Sequence, residues 1–368
     1  MLTRINSFLF VLCLSLILTG YASSADGNLA EKVKNDLHEY NDYSAKNTKA
    51  NVEKYRKTKA QEKFEDWKKA AEAGIPEGQV LLGICYYYGT GVSENKVEAA
   101  IWTRKAAEHG NADAQCWLGL YYSDGECVSK DQTEAIKWYR KSAEQENARA
   151  QVFLGACYFD GIGVHENKNE GVKWLLKAAK HGDRNAQNAL GQIHFYGMGV
   201  SKNDDDAVQW FRKAAEQEHV MAQALLGKCY FNGWGVLEDK KEAVKWFSKA
   251  AEQEDAVAQV NLGFCYYYGV GVPEDKEEAV KWVSKAAEQE DAVAQFNLGL
   301  CYLQGHGVHE NKEEAVKWFH KAAEHGYRDA QNNLGVCYYY GVGVPEDKEK
   351  AEKWFSKADE QKHVEVQK

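Results

Sequence analysis

The sequence predicts an all-α protein, an αα-solenoid built from one 36-residue helix-turn-helix unit that occurs eight times. Three features recur at this interval. Tryptophan stands at every thirty-sixth position from Trp102 to Trp354, and a Leu-Gly pair recurs at the same step from Leu82 to Leu334. A glycine turn begins seven residues after each of these leucines, from Gly89 to Gly341. Self-similarity with a period of about 20 to 50 residues is the signature of a solenoid or a comparable repeat array.

The N-terminus has the layout of a secretory signal peptide. Arg4 precedes an apolar run from Phe8 to Leu18, and small residues follow up to Ala25. At 11 residues this run is shorter than the roughly 20 that a membrane span needs. We therefore predict a signal peptide at residues 1–25, cleaved after Ala22 or Ala25, and a secreted or periplasmic protein with no membrane span after that cleavage. A retained N-terminal anchor is the alternative.

The polar residues 26–59 lack the repeat and are predicted to form a helical or disordered lead-in. The solenoid is expected to span residues 60–361, with a tail at residues 362–368. The net charge is -9, and loss of Arg4 with the signal peptide makes the mature chain one unit more negative. Because a nucleic-acid-binding protein needs a basic surface, this charge argues against a nucleic-acid partner.

The first helix of each unit is typified by residues 275–288, DKEEAVKWVSKAAE. Ala279, Trp282 and Val283 lie at helical spacing and form an apolar stripe, so the tryptophans are predicted to pack between the two helices of a unit. Asp275, with Glu278 three residues later, resembles a capping box. The cap position recurs in every unit, as Asn95, Asp131, Asn167, Asn203, Asp239, Asp275, Asn311 and Asp347.

The second helix is typified by residues 256–268, AVAQVNLGFCYYY. Small residues such as Ala258 and Gly263 allow a neighbouring helix to approach closely. Gly269 follows at the position where a helix end favours a positive φ, which glycine adopts without strain. The pattern gives eight helix pairs and a final capping helix from about Asp347 to Gln361.

The combined motif, W(F/Y)xKAAEQ followed by AxAQxxLGxxYxxGxGV, is similar to the Sel-one-like repeat family, which is related to the tetratricopeptide repeat. This resemblance covers residues 60–361 and implies a right-handed superhelix whose concave groove serves as a protein–protein adaptor. Departures are local. Asp66 stands where tryptophan is expected, with Trp67 one place later, while Cys127 replaces a turn glycine and His194 replaces a tyrosine.

The cysteines form a ladder at one repeat position, where Tyr121 and Ile193 also occur. Exchange with these residues indicates a buried apolar position. Successive units should lie about 10 Å apart, farther than the roughly 7 Å between Cα atoms that a disulfide allows. We therefore predict unpaired thiols at Cys85, Cys157, Cys229, Cys265, Cys301 and Cys337. Cys116 and Cys127 stand near opposite ends of one helix, too far apart to bond.

No other residue type forms a committed chemical site. The Gly-x-Gly turns follow a helix, whereas a nucleotide-binding fingerprint follows a strand. His306, His309 and His320 occur in one unit and lack a fourth ligand at metal-site spacing. Hence we predict no metal, no cofactor and no catalytic residue.

A lysine recurs at every thirty-sixth position from Lys69 to Lys357, with an acid three residues later in most units. We interpret this series as a solvated face with ion pairs at i,i+3. The alternative is a charged ladder along the groove that meets an acidic partner.

Positions that differ between the units are candidates for partner contact, because a fixed scaffold with varied tips suits recognition. By contrast, one glutamine position from Gln79 to Gln331 never changes and predicts a hydrogen bond between units. Varied tips stand before the first turn glycine and between the two glycines, and Ser248, Ser284 and Ser356 mark a varied position on the first helices. The candidate binding residues are Tyr88, Tyr196, Trp234, Tyr268, His320 and Tyr340.

These features predict a secreted or periplasmic scaffold that binds a protein or peptide partner and is not an enzyme. The alternative is an extracytoplasmic hydrolase that acts on β-lactams or cell-wall material, because some cysteine-rich relatives have been linked to β-lactams. The chain has no Ser-x-x-Lys motif or other committed pair of nucleophile and base.

Overall fold

The computed structural model describes residues 29–37, 39 and 49–366. The predicted signal peptide, residues 1–25, lies outside this described part. Within the lead-in, residues 29–37 are helical, and a long helix, α1, begins at Lys49.

Each unit consists of a first and a second helix. The first helices are α1 (Lys49–Glu72), α3 (Lys96–Glu108), α5 (Gln132–Glu144), α7 (Lys168–Lys180), α9 (Asp204–Glu216), α11 (Lys240–Glu252), α13 (Lys276–Glu288) and α15 (Lys312–Glu324). The second helices are α2 (Pro76–Tyr88), α4 (Ala112–Asp124), α6 (Ala148–Asp160), α8 (Arg184–Tyr196), α10 (Val220–Asn232), α12 (Ala256–Tyr268), α14 (Ala292–Gln304) and α16 (Arg328–Tyr340). The capping helix is α17 (Lys348–Val366).

The predicted all-α repeat fold is confirmed. Among the described residues there is no strand, and eight helix pairs are followed by one further helix. Contacts divide the chain into two compact units, unit 1 (Met1–Leu190) and unit 2 (Gly191–Lys368), with the boundary inside α8. In unit 2 each helix pair has its own apolar cluster, such as Phe247, Leu262 and Cys265 between α11 and α12.

The first helices begin where the cap pattern predicts. The Asp275 side chain accepts a hydrogen bond from the backbone N–H of Glu278, and each of the other seven cap residues binds its helix start in the same way. A capping box also requires the Glu278 carboxylate to accept a hydrogen bond from the backbone N–H of Asp275, and this part of the prediction is wrong. The N–H of Asp275 donates to the carbonyl of Tyr266 at 2.8 Å, while the Glu278 carboxylate pairs with Lys281 at 2.9 Å. A backbone hydrogen bond from the cap residue to the preceding second helix therefore closes each turn.

Close packing explains the Leu-Gly pair. A Cβ added to Gly227 of α10 would lie 2.6 Å from two ring carbons of Phe247, on α11. The turn glycines are constrained as well. Gly271 has φ +77, and a Cβ there would lie 2.3 Å from the Lys240 carbonyl oxygen. Gly227 and Gly271 therefore both occupy places where a side chain would collide with the neighbouring helix.

The departure at Asp66 and Trp67 has a structural cause. Asp66 pairs with Lys32 of the helical segment 29–37 at 2.6 Å, and the Trp67 indole N–H donates to Asp36 Oδ2 at 3.0 Å. Val33 of the same segment is fully buried in the core of unit 1. The first helix pair has no preceding pair to pack on, and residues 29–37 pack there instead.

Candidate functional site

The predicted binding residues differ in exposure. Tyr196, Tyr268 and Tyr340 end the second helices α8, α12 and α16 and are strongly exposed; Tyr268 is 60% exposed and Tyr340 is 70% exposed. Trp234, in the turn after α10, is also exposed, whereas Tyr88 is half-buried. Three of the four predicted tyrosines, which stand just before the turn, are therefore exposed.

The structure brings two of the predicted residues together. The ring of Phe195 lies 5.0 Å from Tyr196 and 5.4 Å from Trp234, centroid to centroid, and so bridges them. His320 lies apart on the first helix α15, where it contacts Trp354 and pairs with Glu324 at 3.2 Å. The varied first-helix position therefore does not join the tyrosine tips.

Contacts between successive repeats use the residue just before the tip. The Tyr87 hydroxyl donates to Glu126 Oε2 at 2.6 Å, and Tyr267 shares a hydrogen bond with Nδ1 of His306. In each case the partner is the residue between the glycines of the next turn, 39 positions along the chain. Burial, followed by the bond to Glu126, raises the pKa of Tyr87.

The repeated lysines have a different partner from the one predicted. From Lys105 to Lys357, each lies over the ring of the tryptophan three residues earlier; the Lys105 ammonium is 3.9 Å from the Trp102 centroid. The same contact recurs from Trp102 to Trp354 at 3.9 to 4.2 Å. The observed i,i+3 ion pairs use other lysines, such as Lys281 with Glu278. These cation–π contacts cover the outer faces of the tryptophans.

The tryptophans pack differently from the prediction too. Trp246 on α11 is buried in the cluster that contains Phe211 of α9 and Leu226 of α10, the preceding helix pair. It therefore joins successive pairs rather than the two helices of its own unit. The glutamines that occur in every repeat also join successive repeats, as predicted. Gln145 donates to Gln115 Oε1 at 2.8 Å, and Gln115 donates to the Ala107 carbonyl at the end of α3.

The six cysteines of the ladder are buried, as predicted. None of the eight cysteines among the described residues forms a disulfide. Burial raises the pKa of Cys229 to about 12 and that of Cys265 to about 11. These thiols stay protonated near neutral pH, and a protonated thiol is a poor nucleophile. The described residues contain no cluster of three or more His, Cys, Asp or Glu side chains arranged to bind a metal.

An exposed apolar stripe lies on the second helices of unit 2. On α12 it consists of Val257, Asn261, Phe264 and Tyr268, at the helical spacing i, i+4, i+7 and i+11. Phe264 is 45% exposed, and its ring lies 4.7 Å from that of Tyr268. The equivalent positions on α14 are Val293, Asn297, Leu300 and Gln304, and on α16 they are Asp329, Asn333, Val336 and Tyr340. We call this surface the α12–α16 face.

Second helices of successive repeats contact each other near this surface. The Phe264 ring lies 6.1 Å from Phe231 of α10, and Leu300 of α14 packs against the apolar cluster of α15 and α16. On each helix from α12 to α16 the stripe combines apolar side chains with one asparagine.

In unit 1 the residues equivalent to Asn261 and Phe264 are mostly buried, whereas the tips Asp124 and Asp160 are exposed. Leu81, Ile84, Trp117, Leu120 and Phe153 are all buried. Exposure of the α12–α16 face is therefore a property of unit 2 and not of the repeat itself. An exposed apolar patch on a protein surface is a common mark of an interaction site.

No helix within the described residues is long and apolar enough to span a membrane.

Comparison with known proteins identifies the repeat. The family model of the Sel1 repeat matches eight consecutive stretches from residue 76 to residue 363. A protective antigen of uropathogenic Escherichia coli with an SLR fold is 36% identical, with a TM-score of 0.74 over 81% of this chain and 64% of the antigen. This chain thus spans just under two thirds of that antigen.

A Sel1 repeat protein from Oxalobacter formigenes is 30% identical, with a TM-score of 0.64, and the match covers 95% of both chains. A search of curated proteins gives no match. Sel1-repeat proteins are generally protein-interaction scaffolds. Eight tandem matches and these two structures establish that the chain belongs to the Sel1 repeat family.

Proposed function

We propose that this protein is a secreted or periplasmic scaffold that binds a protein or peptide partner and makes no covalent bond to it. The signal-peptide pattern at residues 1–25 supports the location. The Sel1 family supports the class of function, since its members are generally interaction scaffolds.

The observation that carries the proposal is the open α12–α16 face of unit 2. Its tips, Tyr268 and Tyr340, are exposed aromatic residues, and Phe264 and Val336 continue the apolar surface along the helices. Interaction surfaces owe most of their binding energy to a few residues, among which tyrosine is enriched. The buried equivalents of Asn261 and Phe264 in unit 1 support a contact in unit 2.

Shape and surface chemistry account for this function without a reactive group. Burial raises the pKa of Cys229 to about 12 and that of Cys265 to about 11, and a protonated thiol is a poor nucleophile for a hydrolase. A β-lactam and cell-wall hydrolysis assay on the purified protein tests the enzymatic alternative directly. We expect no turnover above that of a heat-denatured sample.

Affinity capture tests the scaffold proposal. Immobilised wild-type protein and the double variant Tyr268→Ala/Tyr340→Ala are exposed to the extracytoplasmic fraction of the source organism. We expect one or more proteins that bind the wild type and are lost from the double variant. A control variant, Lys281→Ala/Lys317→Ala, alters exposed lysines of the first helices α13 and α15 and should retain them. Equal capture by all three proteins contradicts the proposed surface.

A further inference from the structure

Two charged side chains are buried in unit 1 at the starts of successive second helices. Asp113, the second residue of α4, is 5% exposed, and Arg149, the second residue of α6, is 7% exposed. Charged side chains are rarely buried unless they are paired. The repeat does not require a charge at this position, because the equivalent residues of the other second helices are Glu77, Asn185, Met221, Val257, Val293 and Asp329.

Asp113 and Arg149 do not pair with each other. Neither residue forms an ion pair within the part of the chain that the structure describes. The side-chain amide of Asn147 donates to Asp113 Oδ1 at 2.6 Å. Arg149 Nη2 is buried without a hydrogen-bond partner among the described residues, and Arg149 Cζ lies 5.9 Å from the centroid of the Trp117 ring. The Asp113 carboxyl group thus accepts from an uncharged amide rather than from a cation.

The surroundings of Asp113 disfavour its charged form. Burial raises the pKa of Asp113 well above its usual range, whereas Arg149 on α6 and the Asn147 amide act in the opposite direction. Glu77 on α2 carries a like charge and adds to the increase in pKa. Arg149 also acts on Asp183, the residue just before α8, so that one cation serves two carboxyl groups.

We propose that Asp113 is a proton-binding site that makes unit 1 sensitive to pH, and that the first turn of α4 separates from α6 when the proton is released to water. A buried carboxylate without an ion pair is costly, and contact with water removes this cost. Asp113 lies in the first turn of α4, and helix ends fray more readily than helix centres. Because Asp113 lies in unit 1, this site does not depend on the proposed contact in unit 2.

The direction of the pH effect follows from the difference between the folded and the unfolded protein. An aspartate in an unfolded chain has a pKa of about 3.9. Burial raises the pKa of Asp113 in the folded protein, so the folded protein retains a proton that the unfolded chain releases. Below about pH 3.9 Asp113 is neutral in both states. As the pH rises from there through the raised pKa, the stability of unit 1 should fall.

Thermal melting of Asp113→Asn tests this effect, because asparagine has the shape of the protonated acid and does not ionise. Asp329→Asn is the matched control, since Asp329 stands at the equivalent position of α16 and is exposed. We expect Asp113→Asn to melt with the wild type at about pH 4 and about 2–4 °C above it at about pH 7.5. Asp329→Asn should show no such change with pH. A difference between Asp113→Asn and the wild type that is the same at both pH values overturns the proposal.

Hydrogen exchange followed by mass spectrometry tests the wild-type protein, and so this measurement does not require that a variant folds. After correction for the intrinsic pH dependence of exchange, residues 112–118 at the start of α4 should lose protection about tenfold between about pH 5 and about pH 7.5. Residues 328–334 of α16 should keep theirs. Equal changes in the two segments overturn the proposal. A melting difference that depends on pH, without loss of protection in residues 112–118, overturns the separation of α4 from α6.

Discussion

Single glycines determine how closely the helices of this repeat pack. The Cβ of an alanine at position 227 would lie 2.6 Å from Phe247, so Gly227→Ala should destabilise unit 2 by about 1–3 kcal/mol despite the better helix propensity of alanine. Chemical denaturation measures this change. The double variant Gly227→Ala/Phe247→Leu relieves the overlap and should recover part of the loss. Strictly additive effects of the two substitutions would contradict the packing described here.

Four glutamates mark places where the sequence conflicts with the backbone. Glu146, Glu218, Glu254 and Glu290 have φ between 60 and 66, while the equivalent positions of other units are glycines such as Gly182 and Gly326. A non-glycine residue in this region is strained, and so Glu254→Gly should stabilise the protein by about 0.5–1 kcal/mol. Thermal unfolding checks the sign. Glu252→Gly, inside the last turn of α11, is the control and should destabilise.

At the scale of the helix, the cap residue and the acid three residues later make different contacts, although both belong to one sequence pattern. The Asp275 side chain binds the backbone at the start of α13, whereas Glu278 pairs with the exposed Lys281. Asp275→Ala should therefore cost about 1 kcal/mol of stability. Glu278→Ala should cost about 0.5 kcal/mol or less, since exposed ion pairs contribute little. Urea denaturation of the two variants distinguishes them, and a larger loss for Glu278→Ala would restore the capping-box prediction.

Local features of the elements were predictable, because they depend on residues close in sequence. The N-caps, the turn glycine Gly269 and the second-helix glycine Gly263 all follow from short-range patterns. Contacts between successive repeats were harder to predict. The lysine–tryptophan contacts look like a spacing for ion pairs, and the pairing of Tyr87 with Glu126 joins residues 39 positions apart.

The candidate surface was only partly visible in the sequence for a related reason. Tyr268 and Tyr340 stood out as varied tips, but Phe264 and Val336 look like ordinary core residues of an apolar helix. Their exposure depends on which neighbours cover them, and the equivalent Ile84 and Leu120 of unit 1 are buried. Sequence periodicity assigns a residue to a helix face; it does not reveal whether another part of the chain covers that face.

At the scale of the whole molecule, the signal-peptide prediction fixes where the scaffold would act. Expression with the native N-terminus in a bacterial host should yield an extracytoplasmic protein whose first residue is Ser23 or Asp26. Mass spectrometry of the intact protein measures this start. A protein that retains Met1 and stays with the membrane fraction would favour the anchored alternative, because the apolar run from Phe8 to Leu18 would then be kept.

Site-specific photocrosslinking tests the central claim, partner binding by the open face of unit 2, most directly. Benzoylphenylalanine is incorporated in turn at positions 268 and 340 on the α12–α16 face, and at positions 281 and 317 on the first helices as controls. After illumination with the extracytoplasmic fraction, we expect the same partner adduct at positions 268 and 340 and none at the controls. Adducts that are equally frequent at all four positions, or that form only at positions 281 and 317, would contradict it.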